Sequence, residues 1–152
     1  MGGYGASLLA VKFPELFSVC INYDGGMWNW EDMTSKSRKW QPVAPVLFDN
    51  DRIYYESNSS PWKFANLNKD KIKGQLQFRT LVGSLGLRLQ KWRNHLTSLE
   101  IEMDYVDTEC KHDLKCLHEK AGDGSFRLMG EQFAKALTSE AKTGEELKVE
   151  GK

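Results

Sequence analysis

Four soft or borderline metal ligands, two cysteines and two histidines, fall within nine residues, Cys110-Lys111-His112-Asp113-Leu114-Lys115-Cys116-Leu117-His118. Thiolate and imidazole are the donors zinc favours, yet structural zinc sites draw paired ligands from two separated segments. Four donors in one short run that turns helical cannot easily converge on a tetrahedron, so no metal is expected and the two cysteines read as incidental. His118 falls about one and a half turns along that helix from His112 and faces elsewhere. His95 sits in a charged helical stretch and is expected to be solvated. At the other end of the chain Gly2-Gly3-Tyr4-Gly5 is glycine-rich but lacks the lysine and hydroxyl of a phosphate-binding loop. No cofactor is implied. Among the tryptophans, Trp92 reads as core and Trp62 as packing for its own short helix, which leaves Trp28 and Trp30 to line an acyl or aromatic pocket.

The elements that must carry these residues can be read from periodicity. Gly3 to Val11 is a helix of small side chains closed by Pro14, and Ser18 to Asp24 is a short apolar run bounded by Gly25-Gly26, as a strand buried on both faces should be. Met27 to Ser59 has no sustained period and reads as an excursion over the top of a fold. Ser60-Pro61-Trp62 starts a helix to about Asn68, with serine as the cap and proline at the first helical position. Leu76 to Gly83 is the second strand. The helix from Leu87 to Leu99 places Leu89, Trp92, Leu96 and Leu99 on one face. Ile101 to Val106 alternates apolar and acidic residues, which predicts a strand with one wet face near a sheet edge. A last helix, about Ser125 to Thr138, puts Phe126, Met129, Phe133 and Leu137 on one stripe.

Helix, strand, excursion, strand, helix, strand, helix is the order of an α/β architecture with parallel strands and crossover helices. One domain over residues 1–138 is expected, followed by a polar, disordered tail over 139–152. Three strands are few for such a sheet, and an edge without its neighbour exposes backbone, so self-association through that edge is expected. The 152 residues carry zero formal net charge, which gives no footprint for nucleic acid or an acidic membrane. The opening run, broken by Lys12 and Pro14, is unlike a signal peptide or a membrane span. Three cysteines are too few for a disulfide scaffold and mildly favour a reducing, cytoplasmic setting.

Met1-Gly2-Gly3-Tyr4-Gly5-Ala6 resembles the second half of a nucleophile elbow of the form Gly-x-Ser-Met-Gly-Gly running into its helix. Pro14-Glu15-Leu16-Phe17-Ser18 before a strand, Tyr23-Asp24-Gly25, Ser60-Pro61-Trp62, Val82-Gly83-Ser84 and His112-Asp113-Leu114 follow in order. Singly each is weak. Together, over residues 1–138, they resemble the C-terminal half of an α/β-hydrolase, in the family of esterases related to esterase D, starting just after the nucleophilic serine.

That resemblance implies a partial α/β-hydrolase fold, with three parallel strands, crossover helices and an irregular excursion. It also implies a serine hydrolase acting on small carboxylic esters. His112 would be the catalytic histidine, and Met1 would offer one N–H of the oxyanion hole. The acid departs from the pattern: relatives read Gly-Ser-x-Asp-x-Leu where this chain has Gly83-Ser84-Leu85-Gly86-Leu87. Asp24, one strand over, could aim at the same imidazole, although Tyr-Asp-Gly is also ordinary turn chemistry. Lacking serine and the usual aspartate, the chain alone is expected to be inactive. The alternative is a non-catalytic interaction module on the same fold, and a small metal-binding module ranks third.

Overall fold

A computed structural model describes residues 2–35 and 43–149, with side chains as far as Thr138. Three strands, β1 (Val19–Tyr23), β2 (Gln77–Val82) and β3 (Met103–Asp107), form one parallel sheet in the order β1-β2-β3. Val19 lies opposite Gln77, and Phe78 opposite Met103. Helices intervene: α1 (Gly2–Lys12), then, after β1, α2 (Trp30–Thr34), α3 (Val43–Phe48), α4 (Arg52–Asn58) and α5 (Pro61–Ile72). Between β2 and β3 runs α6 (Gly86–Ser98), and α7 (Leu114–Val149) follows β3. The α/β class with parallel strands is therefore as the periodicity predicts.

Successive strand residues serve opposite faces. Cys20, Phe78 and Val82 join the main core with Val11 of α1, Ala65 of α5 and Trp92 of α6, whereas Leu81 and Tyr23 pack with Leu117 and Ala121 of α7. The sheet is covered by α1, α5 and α6 on one side and by α7 on the other. Ser60 accepts from the Lys63 N–H at 3.3 Å with Pro61 in the first turn, as the sequence implies.

Among its described residues the excursion over Met27–Ser59 carries three short helices, and Trp40 in its middle lies outside the described residues. Two of them are capped, α2 by a reciprocal Asn29–Asp32 box and α4 by Asp51, but runs this short show no periodicity to read. A larger difference is α7. It begins at Leu114 rather than near Ser125 and continues through Gly122 and Gly124. These glycines make room: a methyl carbon on Gly124 would collide with the Arg79 guanidinium, and one on Gly122 would stand 2.7 Å from His118 Nδ1. Arg79 bonds Ser125 Oγ (3.2 Å) and the Ala121 carbonyl (3.3 Å) and pairs with Asp104, so close approach accounts for glycine inside this helix.

The stripe expected on this helix exists but faces solvent. Phe126, Phe133 and Leu137 are 59, 60 and 68 % exposed, while Leu117, Ser125 and Gln132 form the buried side. The reading of residues 139–152 as a polar tail concerns side chains outside the described residues. His95 also departs from its solvated expectation: it is half-buried, stacked on Trp92 with ring centroids 5.8 Å apart, and its Nε2 lies 3.2 Å from the Trp62 carbonyl. Burial holds its pKa below the usual imidazole value. No helix among the described residues is long and apolar enough to cross a membrane.

Candidate active site

The turns after the three strands converge at the C-terminal end of the sheet, where open parallel sheets place their sites. Asp24 follows β1 directly and is fully buried. Its backbone has φ +46°, in the left-handed region that aspartate tolerates better than most residues. The Asp24 N–H donates to the Leu81 carbonyl at 2.7 Å, which ties the bend to β2. The carboxylate then has three partners. Oδ1 accepts the N–H groups of Gly83 (2.8 Å) and Leu85 (3.1 Å), and Oδ2 stands 3.0 Å from His112 Nδ1.

This bonding decides the state of the imidazole. An ionised carboxylate can only accept, so Nδ1 carries the hydrogen in the neutral ring, and Nε2 is left with a lone pair. That is the tautomer a general base needs.

His112 is held from several directions. Thr108 anchors the loop by donating its hydroxyl to the Val82 carbonyl (2.7 Å) and accepting the Cys110 N–H (3.2 Å). Asp113 Oδ1 accepts the Lys115 and Cys116 N–H groups at 2.9 and 3.3 Å, capping α7. A disulfide joins Cys110 to Cys116 across six positions, with Cα atoms 6.0 Å apart. The expectation of incidental, reduced cysteines is thereby corrected, and neither sulfur is left as a thiolate for zinc. Among the described residues no cluster of three or more His, Cys, Asp or Glu side chains could hold a metal ion.

Gly83 is required by close approach. A methyl carbon there would stand 2.6 Å from the Lys111 carbonyl oxygen and 2.9 Å from Asp24 Oδ2. On the other side, buried Asn22 accepts the Gly25 N–H at 2.6 Å and donates to the Gly3 carbonyl and to Ser7 Oγ, both at 3.3 Å, which fastens the start of α1 to the end of β1. A methyl on Gly3 would collide with that amide.

A cavity of about 480 Å³ runs along the unpaired side of β1 between α1 and α7, lined by Gly2, Gly3, Ala6, Tyr23, His112 and Leu117 among others. His112 and the first turn of α1 thus face one space. Met1 lies outside the described residues. Trp28 and Trp30 are not in the wall of this cavity. Trp28 packs against Tyr4 with Arg88 over its ring, and Trp30 packs against Tyr55. Their indoles are attached to the helical excursion, which leans on the opposite side of α1.

No hydroxyl or thiol among the described residues bonds His112. Cys20, whose thiol burial pushes up to about 11, faces Ser7 and is no nucleophile. Sequence reasoning missed Asn22, Thr108 and the disulfide. Only Asn22 left a signal, as a lone amide within the apolar run Val19-Cys20-Ile21-Asn22-Tyr23. Comparison with family models, with curated proteins and with solved structures finds no match to this chain.

Proposed function

We propose that the chain carries the acid–base half of a serine carboxylic-ester hydrolase, resembling esterases related to esterase D. His112 is the general base and acid, and Asp24 is its orienting carboxylate. The nucleophilic serine belongs to the residue before Met1 in the intact protein. The observation that carries this reading is the 3.0 Å contact between a fully buried Asp24 carboxylate and the Nδ1 of a histidine that opens on the cavity at the start of α1.

In this reaction the serine hydroxyl gives its proton to His112 Nε2 while its oxygen attacks the ester carbonyl carbon. The Met1 N–H supplies one donor to the oxyanion. His112 then protonates the departing alkoxide; a water, deprotonated by the same nitrogen, attacks the acyl carbon, and the proton returns from His112 to the serine oxygen as the acid leaves. Among the described residues no hydroxyl or thiol bonds His112, and the chain by itself is expected to be inactive.

The test is to read the coding sequence upstream of Met1 for an in-frame Gly-x-Ser, restore that half, and assay a short-chain aryl ester. Turnover that falls by about 10⁶ in His112→Ala supports the proposal. A stop codon immediately upstream, or turnover indifferent to that change, refutes it. A non-catalytic interaction module is the second reading, favoured by the exposed Phe126, Phe133 and Leu137 on α7. Absence of turnover in the restored protein, with the serine present, would favour it.

A further inference from the structure

The Cys110–Cys116 bridge closes residues 110–116 into a ring, and His112 lies inside it. Little else holds the imidazole. Its side chain is 61 % exposed, and its described hydrogen bond is the one to Asp24. The position of Nδ1 is therefore set by the backbone on either side. Toward β3 that backbone is fastened by Thr108, after which Glu109 is held at φ +57°, a left-handed conformation that residues other than glycine adopt at a cost. Cys110 comes next, and its carbonyl oxygen would stand 2.9 Å from a methyl carbon on Gly83, so it abuts the turn that seats Asp24. Toward α7, Cys116 stands in the first turn, where its N–H donates to Asp113. Cys110 packs with Leu81 and Leu117 in the smaller core, and Cys116 packs against them. The bridge thus joins a strained turn to the start of a helix across the histidine that Asp24 orients.

We propose that this bridge is a thiol–disulfide exchange site whose state governs the Asp24–His112 contact. Oxidised, the ring holds the imidazole on the carboxylate. Reduced, the turn at Glu109 relaxes and the imidazole leaves it. The co-reactant is a dithiol reductant. Its thiolate attacks the sulfur of Cys116, the less buried of the two cysteines; the S–S bond breaks, and Cys110 departs as a thiolate that takes up a proton. The second thiol of the reductant then displaces Cys116 from the mixed disulfide. The protein gains two electrons and two protons, and the reductant ends as a disulfide. Asp24 keeps its seat throughout, because the Gly83 and Leu85 N–H groups that bond it lie outside the ring. Cys20, the free cysteine among the described residues, is buried beside Ser7 and takes no part.

The inference rests on the Asp24–His112 dyad of the proposed function and on no step of its ester chemistry, so neither ester nor serine enters the test. Long-range proton–nitrogen correlation reads the His112 tautomer in the 152-residue chain when oxidised, when reduced with dithiothreitol and when re-oxidised with oxidised glutathione, at a pH where the ring is neutral. Nδ1–H in the oxidised chain, a shift to Nε2–H on reduction and its return on re-oxidation are expected. Cys110→Ser with Cys116→Ser should give the Nε2–H form with or without dithiothreitol; Cys20 remains in that variant, so the response of the unaltered chain belongs to this bridge. Circular dichroism should show the fold retained in every state. Nδ1–H in both redox states, or in the double variant, would overturn the switch and leave the dyad standing, whereas Nε2–H in both states would overturn the dyad with it. Collapse of the circular-dichroism signal on reduction would also overturn the switch, since the bridge would then hold the whole fold and not the loop.

Discussion

At the scale of single residues, the turn after β2 and the acid after β1 form one hydrogen-bonded unit. The turn Gly83-Ser84-Leu85 contributes no carboxylate, but it turns two N–H groups toward Asp24 and so becomes the seat for a carboxylate from the neighbouring strand. Asp24→Ala would leave both N–H groups without their partner and is expected to cost about 1–3 kcal/mol in chemical denaturation. Asp24→Asn keeps an acceptor for those N–H groups but can also present an N–H to His112. It should fold with little loss and, in a restored enzyme, lower kcat by about 10⁴. Gly83→Ala pushes a methyl into the Lys111 carbonyl and Asp24, and a loss of about 1–3 kcal/mol is expected. His112 and, as an alternative, Asp24 were legible from motif order. Asp24's burial was not, because Gly83, whose N–H it accepts, lies 59 positions further along the chain.

At the scale of elements, strands and amphipathic helices declared themselves through apolar periodicity, and both α5 signals, cap and proline, stand where the sequence put them. The excursion helices have five to seven residues, fewer than two turns, so capping was their only signature. In α7 the local rule against glycine was overridden by Arg79, a tertiary partner invisible in the linear pattern. The Cys110–Cys116 disulfide joins the His112 loop to the first turn of this helix, and closing so short a loop is worth about 2 kcal/mol. Reduction, or Cys110→Ser with Cys116→Ser, should lower stability by that amount. It should also speed amide exchange at Lys115 to Leu117, and unchanged exchange would mean that Asp113 alone holds the turn. The contact of α5 with α6 carries a pH dependence. His95 is held below its ordinary value of 6.5 by burial, so the folded state favours its neutral form. Its contribution is complete above pH 6.5 and is lost as pH falls through the lower, folded value. His95→Gln should therefore flatten the acid side of a urea-midpoint profile between pH 7 and 5.

At the scale of the molecule, a three-stranded parallel sheet is covered on both faces, with the His112 cavity beside β1. The main core is substantial, with Trp92 fully buried against Trp62 at 5.1 Å between ring centroids, and Trp92→Ala should cost about 3–5 kcal/mol in thermal or denaturant unfolding. Overall class and strand direction followed from the order of elements. The outward face of Phe126, Phe133 and Leu137 did not, since periodicity reports that a stripe exists and not which side of the sheet it meets. The convergence of three strand ends on His112 rests finally on which ring nitrogen bears the proton. Long-range proton–nitrogen correlation on His112 in the 152-residue chain measures this directly. A neutral ring protonated at Nδ1, shifting toward the ordinary Nε2–H form in Asp24→Ala, is the result expected. A ring already protonated at Nε2 and indifferent to that change would contradict the dyad.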